Sequence, residues 1–237
     1  MYGQFFILFG LILVGYYCNK KGYLPLETNK NVGHMVMRVT IPAMLITTIA
    51  SIEITDRVLR AFLLSAAGQI AMMVVFGFLM RQYGRKRGLD SRLLPMLDLT
   101  AGSLNTGFIG LPVTMIFFGQ AGIIYMSAGV LALNLYLWSY GVYLISDKKA
   151  TGAAAIGKSF LQGAINPNCI SILLGLLLAV THTARFVPTV VLGFLTKVGD
   201  LSTPLSLIYI GALAGGSGIV QLFKEKMALE ISVVKMI

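Results

Sequence analysis

The chain has 237 residues, 57% of them hydrophobic and 12% charged, with a mean hydropathy of +0.82, so there are too few polar side chains to cover a water-soluble domain and lipid must be the main solvent. Its net charge of +10 at pH 7 lies in short basic loops between apolar runs and not along one polar face, which argues against nucleic acid as a partner. Cys18 and Cys169 stand far apart without a CxxC spacing and read as small hydrophobes within helices.

Seven segments approach the roughly 20 apolar residues that a helix needs to cross about 30 Å of hydrocarbon. They lie near 2 to 18, 31 to 51, 58 to 80, 93 to 119, 121 to 146, 168 to 184 and 187 to 215. The first has no basic region ahead of it and no small-residue cleavage site, so it is expected to be retained as a spanning helix. An eighth segment begins near Met227 and reaches Ile237 after MALEISVVKMI, too short to cross unaided, so the chain is expected to be cut short inside an element.

Lys and Arg in short loops are retained in the cytoplasm. The first loop carries Lys20, Lys21 and Lys30, the third Arg81, Arg85, Lys86, Arg87 and Arg92, the fifth Lys148, Lys149 and Lys158, and the seventh Lys224 and Lys226. The even loops hold Arg57, Arg60 and Arg185. This asymmetry predicts an N-terminus outside and the RQYGRKRG loop inside. Tyr136, Trp138, Tyr140 and Tyr143 cluster toward the inner end of the fifth span, where amphipathic rings favour the interface.

The chain also echoes itself. GYYCNKKGYLP leads into a helix reaching VTIPAMLITTIAS, and a similar apolar run with RFVP leads into a helix reaching LSTPLSLIYIGALAG. Pro25 precedes Pro42 by 17 positions and Pro188 precedes Pro204 by 16. An odd number of spans offsets the copies, so they cross in opposite directions, as in the inverted-topology repeats of secondary transporters.

The fourth segment, LLPMLDLTAGSLNTGFIGLPVTMIFFG, holds Gly102, Ser103, Asn105, Thr106, Gly107, Gly110 and Pro112 close together. Pro112 lacks an N–H and its ring clashes one turn back near Phe108, while Gly107 and Gly110 weaken a helix. Broken helix at membrane depth is tolerated where it is buried in protein or lines a wet cavity. Its freed N–H groups and the positive end of the following half-helix suit a carboxylate, with Asn105 and Thr106 as neutral hydrogen-bonding partners. The competing reading is that these small residues serve tight helix packing and the proline merely kinks.

NTGFIGLP, followed by FGQAGIIY and NLYLWSYGVYL, together with PAMLITTIAS and the NPN at 166 to 168, closely resembles the auxin efflux carrier family, which includes malonate and malate permease-like proteins. The resemblance implies an all-α, multi-pass membrane bundle of two inverted five-helix repeats, with substrate held where two broken helices cross. It implies residues 1–146 as the first repeat, 147–167 as a cytoplasmic linker and 168–237 as an incomplete second repeat. It also implies transport of small organic anions across the plasma membrane, dimers, and Asn105, Thr106, Gly107, Gly110 and Pro112 as substrate-binding residues; no cofactor or metal is expected.

Asp98 lies seven residues, two turns, before Asn105. As an intramembrane carboxylate it is a candidate ion-coupling residue, with pairing to Arg92 or Lys158 as the plainer alternative. Asp200 is expected to pair with Lys197. An intramembrane aspartyl protease using Asp98 and Asp200 is a weaker reading, because Lys197 stands where a GxGD motif has its first glycine. A bile-acid or arsenite-type sodium-coupled carrier and a non-transporting truncated membrane subunit also compete with the organic-anion carrier.

Overall fold

The computed structural model describes residues 2–145 and 165–216. The segment from Met227, most of the linker, and Lys148, Lys149, Lys158, Lys224 and Lys226 lie outside the described residues. Among those described, every regular element is a helix. In chain order they are α1 (Tyr2–Lys20), α2 (Leu26–Met35), α3 (Ile41–Ala50), α4 (Asp56–Lys86), α5 (Leu94–Gly102), α6 (Leu111–Tyr136), α7 (Val142–Ile145), α8 (Pro167–Val180), α9 (Thr189–Asp200) and α10 (Ser202–Gly216). Single π turns at Val36–Thr40, Thr106–Gly110 and Leu137–Gly141 join α2 to α3, precede α6, and join α6 to α7.

Among the described residues, five helical runs are long and apolar enough to cross a membrane. One of them, Leu94–Leu144, has 51 residues, about 75 Å of helix, enough for two crossings. Gly119, at φ 62° and ψ −158°, divides it; this backbone region is open essentially to glycine alone. The Pro167–Val180 helix is shorter, with 14 residues. Together these runs reproduce the seven expected segments.

Two boundaries differ from expectation. The second span opens at Leu26, directly after Pro25 at ψ 159°, so Lys30 lies in its second turn and not in a loop. The third runs from Asp56 to Lys86, with the Thr55 hydroxyl accepting from the Val58 N–H at 3.3 Å and Arg85 and Lys86 in its last turn. Arg81 therefore belongs to a helix, not to the third loop.

The spans sort into two packing groups. One combines α1, α2–α3, α8 and α9–α10; the other combines α4 with α5, α6 and α7. They meet where α6 and the Thr106–Gly110 turn touch α1, α3, α8 and α10. The largest cluster of buried apolar residues lies there, with Ile41, Leu45, Ile49, Leu111, Ile123 and Ile172 among its members.

Close helix approach in lipid depends on small residues. A Cβ on Gly211 would overlap the Ile12 carbonyl, and one on Gly15 would overlap the Ile208 carbonyl. Gly211→Leu should therefore force α1 from α10 and lower the thermal midpoint of purified protein, at a cost of about 3 kcal/mol or more. An unchanged midpoint would contradict this packing.

Candidate functional site

The fourth span is broken where its polar residues lie. Helix α5 ends at Gly102, Ser103 is extended at ψ 120°, and Asn105 has ψ 68°. The Asn105 side chain caps the second half: its Oδ1 accepts from the Phe108 N–H at 3.1 Å, and its carbonyl accepts from the N–H groups of Ile109 at 3.3 Å and Gly110 at 3.0 Å. The Thr106 N–H donates to the Leu104 carbonyl at 2.9 Å. Among the described residues, the Gly107 N–H meets no acceptor, and the buried Thr106 hydroxyl has no partner. A helix start with unpartnered donors is suited to an anion.

Pro112 does not itself break the chain. It lies at the start of α6 directly after the π turn, and that wider turn one step back accommodates its missing N–H. The glycines also serve packing: a Cβ on Gly107 would stand 3.3 Å from the Met37 sulfur, and one on Gly110 would stand 2.9 Å from the Met126 sulfur. Asn105, Thr106, Gly107 and Gly110 thus share one turn, with Pro112 immediately after it.

Asp98 lies apart from that turn, on α5, and is 0% exposed. Arg92 is not its partner, and Lys158 lies outside the described residues. Arg81 Nη1 of α4 stands 3.6 Å from Asp98 Oδ2, and the Tyr140 hydroxyl donates to the same oxygen at 2.9 Å. Tyr136 is 2% exposed, and its ring lies 5.4 Å from that of Tyr140. A Cβ on Gly77 would collide with the carboxylate and reach within 3.0 Å of the Tyr136 hydroxyl, so Gly77 makes the room for this cluster. Tyr136 and Tyr140 consequently belong to a buried polar cluster and not to an interfacial belt; Trp138 and Tyr143 are the exposed pair.

Sequence reasoning missed the residues that hold the break against the other packing group. The Phe108 ring stacks on Tyr209 of α10 with centroids 4.6 Å apart. Asn29 Nδ2 donates to the Tyr209 carbonyl at 3.1 Å, and Gly33 leaves space for the Tyr209 ring. The two asparagines Asn134 and Asn166 are hydrogen-bonded through Asn166 Nδ2, and Asn166 Oδ1 accepts from the Cys169 N–H at 3.0 Å to cap α8.

Asp98 and Asp200 do not share a hydrogen bond. Asp98 is held by Arg81 and Tyr140, whereas Asp200 lines a cavity with Thr47, Thr48, Ser51 and Gln120. The expected ion pair between Lys197 and Asp200 does not form among the described residues.

A family model described as "Membrane transport protein" matches residues 1–237. A similar curated protein is an "Uncharacterized transporter" of Methanothermobacter thermautotrophicus, 26% identical over 204 residues that cover 85% of this chain and 64% of the relative. The chain thus spans just under two thirds of that relative's length.

Proposed function

Because the chain belongs to the membrane transport protein family, matching the auxin efflux carrier resemblance of its NTGFIGLP block, we propose that it is a secondary carrier of small organic anions such as dicarboxylates or auxin-like acids. The observation that carries the proposal is the interrupted fourth span. It presents three donors at one helix start: the Gly107 N–H, the Thr106 hydroxyl and the Asn105 Nδ2 amide, whose Oδ1 is committed to the cap. Neutral donors bind a carboxylate without leaving a bare cation in the membrane when the site empties.

The two packing groups supply bodies that could move past one another, with the break at their contact, as alternating access requires. The repeated proline segments support an inverted repeat: a π turn precedes Pro42, and helix α9 ends shortly before Pro204. A homodimer, residence in the plasma membrane and an outside N-terminus complete the reading. In a direct binding test, malonate or malate should raise the thermal midpoint of purified protein, whereas their methyl esters should not. Equal effects of acid and ester would remove the anion site.

Orientation rests on the basic loops and is separately testable. Ser91 is exposed between α4 and α5. In a background lacking Cys18 and Cys169, Ser91→Cys should react with a membrane-impermeant thiol reagent only after the membrane is opened. Labelling of intact cells would reverse the topology.

A further inference from the structure

Helices α3 and α9 touch backbone to backbone: a Cβ on Gly199 would stand 2.8 Å from the Met44 Cα and 2.9 Å from its nitrogen. Met44, Thr47, Thr48 and Ser51 occupy one face of α3, at the i, i+3, i+4, i+7 spacing, and Thr196, Gly199 and Asp200 occupy one face of α9. The close approach leaves an open-sided cavity of about 120 Å³ between these faces, lined also by Met115 and by Gln120 beside the Gly119 break; Ser51, Gln120, Thr196 and Asp200 are its exposed residues. It is roomy enough for an ion and a few waters, since one water fills about 30 Å³.

Its chemistry is one-sided. The Thr47 hydroxyl donates to the Ala43 carbonyl at 2.9 Å, Ser51 to the Thr48 carbonyl at 2.8 Å, and Thr196 to the Leu192 carbonyl at 2.8 Å. Their protons are spent, so these oxygens face a ligand as acceptors. Asp200 adds a carboxylate that no cation within the described residues neutralises. Helix α9 ends at Asp200, so the negative end of its dipole lies beside the cavity. Pro204, four residues on, also lacks the N–H that would otherwise reach the Asp200 carbonyl.

We propose that this cavity binds a hard monovalent cation of the size of sodium, held by Asp200 with the hydroxyl oxygens of Thr47, Ser51 and Thr196. One carboxylate among neutral oxygens matches a single positive charge, whereas calcium sites gather several carboxylates. Broken half-helices of transporters use their C-terminal ends for cations in the same way that they use N-terminal ends for anions. The proposal rests on the carrier reading, to which it adds a coupling ion.

The test uses the purified chain in lipid nanodiscs and reads the thermal midpoint as sodium chloride replaces choline chloride at constant ionic strength. A saturable rise with sodium is expected, absent in Asp200→Asn and kept in Asp98→Asn. Ser51→Ala and Thr196→Val, milder changes, should each raise the half-saturating sodium concentration about tenfold. No rise in the native chain, or an undiminished rise in Asp200→Asn or in both milder variants, would overturn the site. Sodium binding without anion uptake would sink the carrier reading alone; uptake indifferent to sodium, with no shift in midpoint, would sink the cation site alone.

Discussion

Replacing Asn105 with alanine is expected to reduce organic-anion uptake by about 100-fold at low substrate while leaving membrane insertion intact. The side chain has two tasks. Its Oδ1 caps the second half-helix through the Phe108 N–H, worth about 1 kcal/mol, and its amide is one of the donors assigned to the substrate, worth about 1–3 kcal/mol if left unpaired. Asn105→Asp separates the tasks: the carboxylate keeps the cap but repels an anion, so protein should accumulate normally and carry nothing. Pro112→Ala acts on the same turn from the other side, because it adds an N–H that can reach the Phe108 carbonyl and tighten the Thr106–Gly110 π turn into α-helix. Uptake in Asn105→Asp equal to the native rate would contradict the site.

Arg81→Met should cost on the order of 3 kcal/mol of stability, the largest loss expected from a single side chain outside the tightly packed glycines. It leaves the carboxylate of Asp98, which is 0% exposed, without its cation and with the Tyr140 hydroxyl donating at 2.9 Å. Pairing the change with Asp98→Asn removes the uncompensated charge, so the double variant should recover most of the thermal midpoint. Asp98 thereby ties α5 to α4 and to the Leu137–Gly141 turn, a structural role that we propose in place of ion coupling. Asp98→Asn should therefore keep the cation and pH dependence of uptake; a changed profile would return the coupling role to Asp98. A double variant no more stable than Arg81→Met would show that the Asp98 charge is not what Arg81 serves.

Spans and break are legible in the sequence for different reasons. Each span announces itself by length and apolarity, because lipid admits little else. The break is visible because Asn105, Gly107 and Pro112 are all poor residues for a helix interior; within that stretch the chain departs at Ser103 to Asn105, and Pro112 rests inside the next helix. What stays hidden depends on residues distant in the chain. Tyr140 meets Asp98 across 42 positions, so its chemistry has no local signature, and an aromatic cluster near a helix end looks like an interfacial belt. Arg81 reads as a loop residue because apolarity fades before the helix ends. Spacing alone gives Asp200 to Lys197, yet Gly199 brings it to the hydroxyl face of α3.

Two interrupted spans thus divide the chemistry. The fourth offers the positive start of a half-helix with free donors, and the seventh offers the negative end of another with oxygen acceptors. A carrier that binds an anion and a cation in this way would move them with one unit of opposite charge compensated, which lowers the cost of burying either one.

The most direct measurement is uptake of radiolabelled malate, malonate and an auxin-like acid into vesicles containing the full-length protein, beside vesicles containing Asn105→Asp at equal protein content. Saturable uptake of at least one acid is expected, competed by other carboxylates and lost in the variant. No saturable uptake of any acid, or equal uptake by both proteins, would contradict an organic-anion carrier with its site at the broken fourth span.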